Sequence, residues 1–181
     1  MKIFLSFLAI SLCGSFATAF ATEADEFMQA AIEEARVGME AGGIPIGSVL
    51  VYEGKIIGRG HNQRIQRGSA IRHGEMDCLE NAGRLPAHVY QQSTLYTTLS
   101  PCPMCSGAIR LYKIGRIVIG ENESFMGDEE ILRQSGVSLA VIDDPTCKAL
   151  MKQFMTEHPE EWNEDIGLAK EAVVAYRDSS L

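Results

Sequence analysis

Two short clusters hold the residues best equipped to do chemistry together: His73-Gly74-Glu75, and Pro101-Cys102-Pro103-Met104-Cys105. Residues three apart on a helix share a face, so both sulfurs can reach one ion at about 2.3 Å. His73 and Glu75 are two apart and would diverge in mid-helix; at an open helix tip both can lean toward a ligand over the end. One imidazole and two thiolates make three protein ligands and leave a fourth tetrahedral position for water, the pattern of a catalytic zinc. A zinc ion carrying two thiolates acidifies its water less than a three-histidine site does, so a neighbouring base is useful, and Glu75 is placed to be one. Taken singly the clusters say less. His-x-Glu is common, and Cys-x-x-Cys serves disulfide exchange as readily as metal.

The elements around these clusters decide whether they meet. Phe27, Ala30, Ala31, Ala35 and Met39 recur at helical spacing from Thr22 to the Gly42-Gly43 stop, which predicts a first helix. Ile46 to Tyr52 and Lys55 to Arg59 flank Glu53-Gly54 and predict a hairpin. A polar stretch, His61 to Arg72, precedes a helix from His73 to Arg84. The β-branched run Thr94 to Leu99 then leads straight into the cysteine cluster and a helix through Tyr112, with Ser100 as its N-cap and prolines in its first turn. Strands at Arg116 to Gly120 and Val137 to Ile142, a short helix Asp128 to Gln134 between them, and a helical last third from Pro145 complete the chain. A hairpin followed by alternating strands and helices implies an α/β fold with a mixed sheet covered on both faces.

Composition narrows the partners. The 181 residues suit one domain, and 16 Lys and Arg against 24 Asp and Glu give a net charge of −8, which disfavours a long phosphate backbone as partner. Five cysteines are too few for a disulfide scaffold in a chain of this size. At the start, Lys2, the apolar run Ile3 to Leu12 and the small-residue patterns Ala17-Thr18-Ala19 and Ala19-Phe20-Ala21 read as a signal peptide over residues 1–21, cleaved after Ala21. That implies an exported enzyme, periplasmic or secreted, with no stable membrane association after cleavage.

The two clusters in this order, H-x-E followed by P-C-x-x-C, form the zinc deaminase signature. With it the chain resembles the cytidine and deoxycytidylate deaminase superfamily, and within it is most similar to the fungal, yeast-type cytosine deaminases. The resemblance runs from Ala24 to Gly167 and includes Gly42-Gly43-Ile44-Pro45-Ile46-Gly47, His61-Asn62, Leu79-Glu80-Asn81, Leu95-Tyr96-Thr97-Thr98-Leu99-Ser100, Gly120-Glu121-Asn122 and Glu161-Trp162-Asn163-Glu164-Asp165-Ile166-Gly167. It implies a three-layer α/β/α sandwich around a mixed sheet of about five strands, in a domain over 22–167 followed by a helical tail, 168–181. It also implies a homodimer and hydrolysis of the free base cytosine to uracil and ammonia. His73, Cys102 and Cys105 would hold Zn²⁺, and Glu75 would carry protons. Asn62 and the Gly74 N–H would meet the O2 edge of the base, Asp165 its N1–H, and the Ser100 carbonyl its amine, with Ile46, Phe125 and Trp162 enclosing the ring.

Other readings stay open at this point. The same fold could act on guanine, a nucleoside or adenosine in tRNA; the negative charge weighs against tRNA, and a carboxylate accepting N1–H weighs against a nucleoside. An exported thiol oxidoreductase would use Cys102 and Cys105 but leaves His73, Glu75 and Asp165 idle. A zinc-stabilised binding module would need a fourth protein ligand. Cys78 and Cys147 read as buried thiols that an oxidising compartment could pair, and His61, His88 and His158 as loop or surface residues.

Overall fold

A computed structural model describes residues 14–168. Its five strands are β1 (Gly47–Tyr52), β2 (Lys55–His61), β3 (Thr94–Leu99), β4 (Arg116–Glu121) and β5 (Ser138–Val141), in spatial order β2-β1-β3-β4-β5. The first two form the expected hairpin because Glu53 and Gly54 take φ of 48° and 70°, the positive pair that a two-residue turn between twisted strands requires. β1 pairs antiparallel with β2 and β3, while β3, β4 and β5 run parallel. Parallel neighbours need crossovers, and α5 (Pro103–Tyr112) and α6 (Glu129–Gln134) provide them.

The alternation of side chains along each strand builds two cores. Leu50, Leu95, Ile117 and Ile119 face α3 (Gly74–Ala82), α5 and α6 on one side. Val49, Val51, Tyr96 and Val118 face α1 (Gly14–Glu40) and α7 (Pro145–Glu157) on the other. A fully buried side chain of this size contributes about 1.5–3 kcal/mol, so the period-two pattern fixes the register firmly. Cys78 lies in the first core and Cys147 in the second. With the sheet between them, a bond between these two thiols is excluded.

Two short helices were not legible in the sequence, α2 (Arg64–Arg67) and α4 (Ala87–Gln92), because each is shorter than the window over which a helical period shows. The other elements fall where the sequence places them, within a few residues. The first helix is the exception, starting at Gly14 instead of Thr22. The first thirteen residues of the suggested signal segment, and the tail beyond Leu168, lie outside the described residues.

In a parallel pair both carboxyl ends reach the same edge of the sheet, and Leu99 stands beside Glu121 there. The chain leaves β3 into Ser100-Pro101-Cys102 and leaves β4 into the loop carrying Phe125, so the cysteine cluster opens at the edge where α/β sheets hold their ligands. Above it, α8 (Pro159–Asp165) brings in the last described turn of the chain. A third apolar cluster of Ile44, Ile46, Leu99, Met151, Phe154 and Trp162 supports this end of the molecule.

Candidate active site

Both signature clusters stand at helix N-termini. His73 is the N-cap of α3 and Cys102 the N-cap of α5, and neither side chain caps its helix. A capping Ser, Asp or Asn would be worth about 1 kcal/mol, which these positions forgo because their donor atoms are turned to each other. Cys102 Sγ lies 3.4 Å from His73 Nδ1 and 3.6 Å from Cys105 Sγ. All three donors lie within 4.8 Å of one another. The edges of a tetrahedron with metal–sulfur arms of about 2.3 Å and a metal–nitrogen arm of about 2.0 Å are about 3.8 and 3.5 Å, so the set fits one zinc ion. Among the described residues it is the one such cluster of His, Cys, Asp and Glu donors.

The electrostatics of the trio suit a cation. A hydrogen bond from Cys105 pulls the Cys102 thiol down to about 4, with His73 adding to the effect against the cost of burial. Cys105 is pushed well up, as the donor of that bond and by its own burial. Both helix dipoles direct their positive ends at the sulfurs. Glu75, 3% exposed, places Oε2 at 3.4 Å from Cys105 Sγ, and burial followed by the Cys102 charge raises its pKa. A buried carboxyl poised upward is suited to taking and returning protons.

A cavity of about 330 Å³ opens over these groups, with Ile46, Phe125, Trp162 and Asp165 around His73 and Glu75. Phe125 and Trp162 meet edge to face, 6.4 Å apart at 86°. Asn62 is wholly buried beside this wall, its N–H donating to the Ile46 carbonyl at 2.8 Å, and its amide Nδ2 is buried without a partner. Gly74 opens α3 so close to Ile46 that a Cβ there would stand 2.8 Å from the Ile46 carbonyl oxygen. Of the site residues named from the sequence, Ile46, His73, Glu75, Cys102, Phe125, Trp162 and Asp165 line this cavity, with Cys105 in contact with Cys102 and Glu75.

One local expectation is corrected. Ser100 does not cap α5; its Oγ donates to Glu129 at 2.9 Å and accepts from the Gly127 N–H at 3.1 Å, while its own N–H donates to the Glu121 carbonyl. Proline at 101 extends the segment, so the cap falls two residues later, on Cys102. Ser100 is thereby held by three contacts, one on its main-chain N–H and two on its hydroxyl.

Three residues escaped the sequence reading. Arg64 lines the cavity and donates to Asp165. Glu129 holds Ser100. Asp77, 1% exposed, accepts from the His61 N–H at 3.2 Å, Gln63 Nε2 at 2.8 Å and Arg72 Nη1 at 2.7 Å, tying together both ends of the loop between β2 and α3. All three are charged residues, and periodicity does not say which distant group a charge will meet. Asp77→Ala strands a buried arginine contact and two amide donors, and is expected to destabilise the fold by about 3 kcal/mol, read as a lowered urea midpoint at unchanged slope. A loss below about 1 kcal/mol would show that water replaces the carboxylate.

A mixed five-stranded sheet between helices, with a His-Cys-Cys trio and a buried glutamate at the carboxyl ends of its strands, defines a zinc-dependent hydrolytic deaminase. Residues 21–121 match the model of the cytidine and deoxycytidylate deaminase zinc-binding region, and the chain belongs to this family. It is 51% identical to a cytosine deaminase of Candida albicans over 141 residues, covering 77% of this chain and 94% of that protein. It is 33% identical to the tRNA-specific adenosine deaminase of Bacillus subtilis, covering 75% of this chain and 91% of that one. A solved structure of a tRNA:A34 deaminase superposes with a TM-score of 0.61 at 28% identity, covering 70% of this chain and 99% of that one. The protein is thus an enzyme of the zinc deaminase class, and its substrate class is a base rather than a disulfide.

These comparisons overturn the expectation of export: the fungal cytosine deaminase and the tRNA deaminases are cytosolic enzymes. Within the described residues α1 also runs unbroken through the Ala21–Thr22 bond at which the sequence suggests cleavage. The small residues that imitate a cleavage site are strong helix formers, Ala above all. No described helix is long and apolar enough to cross a membrane. The thiol oxidoreductase alternative loses its compartment with this correction.

Proposed function

We propose that the enzyme hydrolyses the free base cytosine to uracil and ammonia, within a deaminase domain over residues 22–167. The observation that carries the reading is a donor and an acceptor close together, the buried, partnerless Nδ2 of Asn62, which is bonded through its main-chain N–H to the cavity residue Ile46, and the carboxylate of Asp165, which lines the cavity. Together they complement a carbonyl beside an N–H, the O2 and N1 edge that cytosine has and that a nucleoside lacks at N1. The 51% identical cytosine deaminase of Candida albicans supports the same substrate.

His73, Cys102 and Cys105 would hold a zinc ion, which would supply Lewis acidity to an attacking water. Glu75 takes a proton from the water as its oxygen bonds to C4 and delivers that proton to N3; it then takes the proton of the new C4 hydroxyl and gives it to the amine, so that the C4–N bond breaks, ammonia leaves and C4 becomes a carbonyl. The Gly74 N–H, at the positive end of α3, joins Asn62 at O2. The Ser100 carbonyl receives an N–H of the amine, and the three contacts on Ser100 keep that acceptor in place. Ile46 lies against one side of the ring, while Phe125 and Trp162 cover the other and exclude water.

Purified protein incubated separately with cytosine, cytidine, guanine and tRNA is expected to release ammonia from cytosine alone. Equal turnover of cytidine would remove the role given to Asp165, and turnover of tRNA adenosine would move the enzyme to the other branch of its relatives. The enzyme is further proposed to be a homodimer, because Leu111, 74% exposed, and Tyr112 border a broad groove along α3, α4 and α5. Sedimentation equilibrium at micromolar concentration is expected to give twice the 19.8 kDa chain mass. A monomer mass would overturn that assembly.

A further inference from the structure

Among the described residues lining the cavity, Arg64 alone carries a Lys or Arg side chain. It opens α2 two residues after Asn62, and it touches both groups that would read the base edge. Its main-chain N–H donates to Asn62 Oδ1 at 3.0 Å. A flipped amide would set NH₂ against that N–H, so the contact fixes which end of Asn62 is the donor. Its guanidinium Nη1 donates to the Asp165 carboxylate Oδ1 at 2.5 Å and to the Asp165 carbonyl at 3.1 Å, while Nε donates to the Ser69 carbonyl at 3.3 Å. The Asp165 side chain is 4% exposed and the Arg64 side chain 23%, so this contact is largely shielded from water. With Oδ1 held, the carboxylate is oriented with Oδ2 as its acceptor for a ligand.

We infer that Arg64 is the specificity-determining positioning residue of this site: its main chain fixes Asn62 as donor and its guanidinium fixes Asp165 as acceptor, so the pocket selects rings with a carbonyl beside an N–H. This rests on the proposed reading of Asp165 as the N1–H acceptor. It adds that the acceptor works only while tethered across 101 residues of sequence to the loop bearing Asn62. A planar guanidinium anchored through Nε to Ser69 while Nη1 donates to both the carboxylate and the carbonyl of Asp165 sets direction as well as charge, which the freely rotating ammonium of a lysine does less well.

The test compares kcat and KM for cytosine and for 1-methylcytosine, a probe of nearly the same size without the N1–H. Arg64→Gln keeps the main-chain N–H, so the loss falls on the N1 edge. Its KM for cytosine is expected to rise about 30-fold with kcat changed by less than about fivefold, and the preference for cytosine over 1-methylcytosine to shrink at least about tenfold. Arg64→Lys is expected to regain part of that preference, with zinc held at one per chain in both. Should the Gln variant fold poorly, a shrunken preference in the Lys variant supports the inference and an unchanged one overturns it. In well-folded variants, an unchanged preference, or a loss confined to kcat, also overturns it. Asp165→Asn separates the two ideas. If it leaves the preference intact, the reading of Asp165 fails; if it abolishes the preference while Arg64→Gln does not, only the role of Arg64 fails.

Discussion

Glu75→Gln is expected to lower kcat for cytosine by about 10³- to 10⁴-fold while KM and a zinc content of one per chain are kept. Glutamine matches glutamate in shape and can still fill the buried position beside Cys105, but it cannot accept the water's proton or return one to N3 and the amine. Burial, first among the causes, raises the pKa of Glu75, which suits one carboxyl to the two transfers proposed for it. Ammonia release and metal analysis on the same preparation check the prediction together. A loss under about tenfold would assign proton transfer to another group. Loss of zinc would instead make Glu75 part of the metal's support.

Cys105→Ala is expected to abolish both zinc binding and activity, and to lower the melting temperature. The ligands come from two separate helices, α3 and α5, so the ion cross-links elements that otherwise meet only through packing. Zinc present at about 1,000 times its dissociation constant stabilises the folded state by about 4 kcal/mol. At about 2–4 °C per kcal/mol for a chain of this length, the melting point should fall by about 10 °C. Cys147→Ala removes an equally buried sulfur on the opposite face of the sheet and should keep the zinc. Zinc retained at full stoichiometry by Cys105→Ala would mean that another residue completes the set.

The hairpin, the alternating strands and the long helices were legible because Val49 and Leu50, or Tyr96 and Leu95, announce opposite faces by simple alternation. The metal trio and Glu75 were legible because the spacing in each cluster suits a ligand at a helix tip, while the deaminase signature joins the two clusters. Arg64, Asp77 and Glu129 were not. Each acts by joining segments far apart in sequence, and nothing in the local pattern of a charged residue tells which backbone it will meet. The same limit explains Ser100, whose serine next to a proline looks like a helix cap until Glu129 and Gly127 claim its hydroxyl. Ala17 to Ala21 failed for a different reason: one run of small residues satisfies both a peptidase and a helix.

Trp162 and Asp165 share α8, a helix of seven residues near the end of the described chain. During synthesis, His73, Glu75, Cys102 and Cys105 emerge from the ribosome before this helix does. A nascent chain therefore has the metal-site residues first and gains the cavity residues Trp162 and Asp165 only afterwards. On the proposed reading, a polypeptide ending before Trp162 would carry the metal ligands without the two residues that select the base.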